Sequence, residues 1–174
     1  LGLGVSGYLG SILEIEAVAF PSKEPGKGLV SFNDTAGSMA KDSVFNAASV
    51  FRAITGEDLN NYDVHVNVIG GGNIDGPSAG VAILTAIISA VKGLPVPQDI
   101  AVTGEISIRG KVKAVGGLHP KIYGAKQAGV KTVYIPSENW DSISQVTESV
   151  EVVPIANVAE FLKVIFQTDI PDLG

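Results

Sequence analysis

The sequence predicts an α+β domain with a mixed sheet, and three observations predict it. Strand-like segments come early and are joined by short polar turns. One long helix near the middle is apolar almost all round. Beyond it, strands alternate with helical stretches. A chain of 174 residues can bury about 70% of its unfolded surface in one core, so a single domain over 1–174 is expected. The net charge of -6, with its twelve Lys and Arg scattered, speaks against a nucleic-acid-binding face. The lack of cysteine excludes disulfides, thiolate metal sites and a cysteine nucleophile, and with only His65 and His119 no histidine-based metal site is expected. Residues 1–10 lack the basic stretch and apolar run of a secretory signal, so a cytoplasmic location is expected. A start at Leu1 rather than Met fits a piece of something longer.

The elements follow in order. Residues 11–20, SILEIEAVAF, alternate in part between apolar and acidic side chains, which predicts a strand with Glu14 and Glu16 on one face. A polar turn at 21–28 leads to a short return strand at 29–32, so the two are expected to pair as a hairpin. Asn33, Asp34 and Thr35 offer caps for a helix over 36–54. There Met39, Val44, Ala47, Ala48, Phe51 and Ile54 fall along one stripe before Gly56 ends the run. Residues 62–69, YDVHVNVI, form the clearest period-two strand, with Val64, Val66 and Val68 on one face and His65 and Asn67 on the other.

That strand hands the chain to a glycine-rich loop and then to the central helix. From 80 to 91 the only polar side chains are Thr85 and Ser89, so the helix is predicted to be buried. At about 1.5 Å per residue it is also too short for a hydrocarbon core of about 30 Å. Residues 99–108 and 111–115 flank Arg109-Gly110 as a second hairpin. A loop at 116–120, a short helix at 121–127, a strand at 130–135, a helix at 139–146, a strand at 150–155 and an amphipathic helix at 158–166 complete the chain.

The chemistry is expected where the loop turns into the buried helix. Asp75 and Gly76 supply a cap and a tight turn, Pro77 suits a first helical position, and Ser78 then falls in the first turn among unpaired backbone donors. The turn from Asp75 through Gly76, Pro77 and Ala79, with the positive end of the helix dipole, makes a site for an oxyanion. A serine at a helix start is ordinarily a cap, and as a nucleophile it needs a base. His65 on its strand and His119 in its loop carry no supporting local pattern. Lys121 repeats the setting of Ser78, with Pro120 before it at a helix start and glycines upstream. If that site is buried, desolvation and the dipole both favour the neutral amine, which can take a hydroxyl proton. Lys111, Lys113, Lys126 and Lys131 fall on positions that read as solvent-facing. Thr103 and Glu105 are expected on one strand face, where Thr103 can orient an amine and a structural cross-strand pair is the plain alternative. No G-x-x-x-x-G-K-[ST] or G-x-G-x-x-G run follows a strand, so a nucleotide site is rejected.

Taken together, these residues resemble the Lon proteases. Residues 75–80, DGPSAG, are similar to the nucleophile motif of that family. Thr103-Gly104-Glu105-Ile106, Arg109-Gly110-Lys111-Val112, Val115-Gly116-Gly117-Leu118 and Lys121 follow in the family's order, with an interval of 43 residues from serine to lysine. The resemblance runs from about Gly7 to about Phe166. It implies a serine endopeptidase that degrades unfolded or damaged proteins, with Ser78 as nucleophile and Lys121 as general base. Thr103 then matches the threonine that hydrogen-bonds the amine, and Asp75 the acidic residue beside the site. It further implies a homo-hexameric ring around an enclosed chamber and an ATP-driven unfolding module outside these residues. ATP and Mg are expected only in that module, with no cofactor or metal in this chain. Asn73 and Ile74 stand where many bacterial members have Pro-Lys, which leaves the subfamily open. Glu14 matches an acidic residue of the family, and the resemblance gives it no role. The rival reading is a non-catalytic Lon-like ring-forming or partner-binding domain, as in some DNA-repair proteins of related fold. Those lack the dyad, whereas both residues are present here.

Overall fold

The computed structural model describes residues 2–8, 11–33, 38–69, 79–116, 118–143 and 150–167. Strand β1 (Gly2–Tyr8) runs antiparallel to β2 (Ser11–Pro21), with Tyr8 opposite Ser11. Glycines at 2, 4 and 7 dilute the alternation of β1, which is why no strand was expected there. On its other edge β2 pairs antiparallel with β4 (Tyr62–Ile69), and the short β3 (Val30–Phe32) lies parallel to β4, giving the order β1-β2-β4-β3.

The hairpin expected between 11–20 and 29–32 therefore does not form. Its place is decided by the turn. The Gly28 N–H donates to the Asn60 carbonyl at 2.7 Å, and the Val64 N–H donates to the Leu29 carbonyl at 3.0 Å. A Cβ on Gly28 would stand 2.1 Å from the Tyr62 carbonyl oxygen, so only glycine permits this approach. The loop after β2 is thus fastened across β4, and β3 emerges on the far side.

Alternation sets the core face of this sheet: Ile15, Ala17, Val64, Val66 and Val68 are buried, while Glu16, His65 and Asn67 are exposed. Helices α1 (Ser38–Thr55) and α2 (Gly80–Lys92) supply the facing layer, with Ala47, Val50 and Phe51 of α1 and every residue of α2 from Gly80 to Ser89 buried. Both polar side chains in that stretch are satisfied internally, Thr85 by donating to the Val81 carbonyl at 2.7 Å and Ser89 by donating to the Leu94 carbonyl. Gly93, in the left-handed region at φ 68°, closes the helix. Lys92 pairs there with Glu57, which also accepts the Tyr62 hydroxyl at 2.8 Å. The hydrogen bond from Lys92 first, and then that from Tyr62, hold the Glu57 carboxyl below its ordinary pKa.

The rest of the chain builds a second layer. Strands β5 (Ile100–Val102), β8 (Thr132–Pro136) and β9 (Glu151–Ile155) form a parallel sheet in the order β5-β8-β9. A separate antiparallel pair, β6 (Glu105–Ile106) and β7 (Val112–Lys113), turns through Gly110 at φ 82° as the Arg109-Gly110 signal predicts. The strand expected over 99–108 is thus broken at Thr103-Gly104 and shared between two sheets. Helix α3 (Leu118–Gln127) starts three residues earlier than predicted, so His119 lies in its first turn rather than in a loop. Its buried Leu118, Ile122 and Ala125 pack with Ala101, Val133 and Ile135. A 3-10 turn (Ser137–Asn139) and α4 (Trp140–Ile143) follow β8, and the predicted remainder of that helix lies outside the described residues. The final helix, α5 (Val158–Phe166), has the predicted bounds and is capped by the Asn157 side chain, which accepts the Glu160 N–H at 2.8 Å. Among the described residues no helix is long and apolar enough to cross a membrane.

Candidate active site

The start of α2 is fastened just beyond the carboxyl end of β5, and α3 packs in one apolar cluster with β5 and β8. Thr103 follows immediately on β5. Its N–H donates to the Tyr134 carbonyl at 3.1 Å, which carries the β5–β8 ladder one residue further. Ala101 packs with Leu118, Ile122 and Ala125 of α3, and the two-residue period of a strand puts Thr103 on the same side. Thr103 is 2% exposed.

The start of α2 is fastened to the same point. The Val81 N–H donates to the Gly104 carbonyl at 3.2 Å, so one of the helix's open donors is taken by the residue after Thr103. The helices and strands approach closely here because two glycines allow it. A Cβ on Gly80 would come 3.2 Å from the Ile106 nitrogen, and one on Gly104 would come 2.6 Å from Val112 Cγ1 and 3.1 Å from Val81 Cγ2. Gly104→Ala should therefore overpack a junction of two stiff valines and cost about 1–3 kcal/mol of unfolding free energy, measured by chemical denaturation. A loss below about 0.5 kcal/mol would mean that the junction is looser than described.

Helix α2 is described from Gly80, with Ala79, 1% exposed, before it. The expected cap and first turn at Asp75, Gly76, Pro77 and Ser78 lie outside the described residues.

Lys121 is the fourth residue of α3 and so belongs to its first turn. Its side chain, like that of His119, lies outside the described residues. His65 is exposed on β4. Lys111, Lys126 and Lys131 are exposed as expected, Lys113 is half-buried in an ion pair with Glu138 at 2.9 Å, and Lys92 is engaged by Glu57 at the opposite end of α2.

Glu105 is not on one strand with Thr103. It opens β6, half-buried and opposite Lys113, because the chain leaves the parallel sheet at Gly104. No group of three or more His, Cys, Asp or Glu among the described residues is arranged to hold a metal.

Residues 1–168 match the family described as Lon protease (S16) C-terminal proteolytic domain. The chain belongs to that family. It is 40% identical over 174 residues to Lon protease 2 of Bacillus subtilis, covering 92% of this chain and 31% of that protein. Identity to the archaeal Lon protease of Archaeoglobus fulgidus is 38% over 167 residues, with 93% of this chain and 27% of that one covered. For the archaeal Lon protease of Thermoplasma acidophilum it is 36% over 165 residues, with 92% and 25% covered. The chain thus spans roughly a quarter to a third of the length of these relatives. Within the Lon domain, the close-packing role of the glycines at 80 and 104, which the quoted motifs contain, and the contacts of the pair Glu138-Asn139 escaped sequence reasoning. The glycines act through close approach to distant segments, and the pair acts on a segment 24 residues away.

Proposed function

We propose that this Lon domain is a serine endopeptidase in which Ser78 and Lys121 form the catalytic dyad. The observation that supports it best is the junction at the end of β5, where the start of α2 is bonded beside the buried Thr103 and α3 packs against the same strand. A leading helix turn favours negative charge and disfavours an ammonium ion. Neutral Lys121 takes the Ser78 hydroxyl proton as Oγ attacks the peptide carbonyl, and the tetrahedral oxyanion is held by backbone donors of the 75–79 turn. Collapse breaks the C–N bond, the lysine ammonium gives its proton to the leaving amine, and an ester remains on Ser78. Water, deprotonated by the same amine, then hydrolyses that ester.

The chain needs no cofactor or metal of its own for this chemistry. In the complete protein it serves as the proteolytic part of an ATP-dependent machine, with ATP and Mg in a separate module. It works as a cytoplasmic homo-hexamer on unfolded polypeptides. The test is a serine-reactive phosphonate probe applied to the assembled protein. Labelling mapped to Ser78 by peptide mass spectrometry, at a rate that rises with pH, is the expected result. An assembled ring that never labels would instead support a scaffold, and labelling at any other serine would move the nucleophile.

A further inference from the structure

The segment that delivers the chain into α3 is held by side chains and not by a strand. After β8 the chain passes through the 3-10 turn (Ser137–Asn139) beside residues 114–116, the link between β7 and α3. Asn139 Oδ1 accepts the Val115 N–H at 3.0 Å while its Nδ2 donates to the Val115 carbonyl at 3.0 Å, so one amide copies the two bonds a neighbouring strand would make. Glu138 Oε1 accepts the Ala114 N–H at 2.8 Å, and its Oε2 accepts from Lys113 Nζ at 2.9 Å. Three backbone groups on two consecutive residues of the link are thereby satisfied from the turn after β8. The Tyr134 carbonyl, on the same strand, takes the Thr103 N–H.

We infer that Asn139, assisted by Glu138, is a positioning residue that sets where α3 begins and thereby where Lys121 stands relative to Thr103. The physical reason lies in what each contact can resist. The apolar stripe of Leu118, Ile122 and Ala125 holds α3 against the sheet, but non-directional packing tolerates small slides along the helix axis. Paired hydrogen bonds to Val115, three residues before Leu118, are directional and resist such slides. Misplacing a catalytic group by about 1 Å can cost about 10²-fold in rate.

The inference rests on the dyad reading, and its test separates the two. In the complete protein, Asn139→Ala removes both bonds, and Asn139→Asp keeps the acceptor for the Val115 N–H but sets a carboxylate oxygen against the Val115 carbonyl. Both should lower kcat per probe-titrated site about 10- to 100-fold, with KM within about twofold and with the ascending limb of the pH profile moved to higher pH. Glu138→Ala, an exposed change that the fold will tolerate, should lower kcat about fivefold, and Glu138→Gln should restore it because the acceptor for Ala114 returns. Unchanged kcat and pH limb in Asn139→Asp and Glu138→Ala, with only the unfolding temperature reduced, would overturn the clamp. Full activity in Lys121→Met would overturn the dyad instead, whatever the clamp variants do.

Discussion

Ser78→Ala is expected to lower hydrolysis of an unfolded protein or a fluorogenic peptide by about 10⁴-fold or more while leaving unfolding and assembly unchanged. Removing a nucleophile removes the acyl-enzyme route itself. Turnover that survives could come only from bound water acting under the remaining electrostatics. The change should leave the fold alone, because the described contacts that hold this end of α2 are made by Ala79, Gly80 and Val81. A variant that keeps more than about a tenth of wild-type activity would remove Ser78 from the mechanism.

Lys121→Met carries the second large effect, a fall of about 10²–10⁴-fold for loss of a general base. Methionine roughly preserves length and removes the amine, so the comparison isolates proton transfer. The sign of the pH dependence follows from the base having to be neutral. In the unsubstituted protein activity should rise with pH until the amine is fully deprotonated, and that limb should vanish in Lys121→Met. Loss of a limb near neutrality in His65→Ala or His119→Ala would favour a histidine triad instead. The exposure of His65 on β4 speaks against that outcome for His65.

Much of the architecture was legible in the chain. The apolar sweep from Gly80, the alternation of β4 and the capped stripe of α5 each follow from one local rule, and each element forms where that rule puts it. Other features were legible only as types. The short strand expected at 29–32 forms at 30–32, but its partner was not foreseen, because the choice between β2 and β4 rests on the Gly28 approach to Tyr62 across 34 residues. The segment 99–108 has continuous strand character, yet it divides at Gly104, where Val81 and Val112 converge and leave room for no side chain. The start of α3 moved upstream because Leu118 finds a buried place against β5 and β8 that no cap in the sequence announces.

The candidate site divides along the same line. Residue types and their order determined which side chains to consider, since a serine and a lysine, each set after a proline in a glycine-bearing stretch, form a local pattern that survives without any contact. Family membership was readable from that order as well. What only tertiary structure decided is which of these stretches face one another. The start of α2 stands beside Thr103 because the Gly104 carbonyl takes the Val81 N–H, and α3 packs along β5 and β8 through Leu118, Ile122 and Ala125. Local rules end with the hydrogen bonds and side chains of neighbouring residues. Strand direction, close approach at glycine and the clamp from Asn139 join segments tens of residues apart, and only the folded chain brings them within reach.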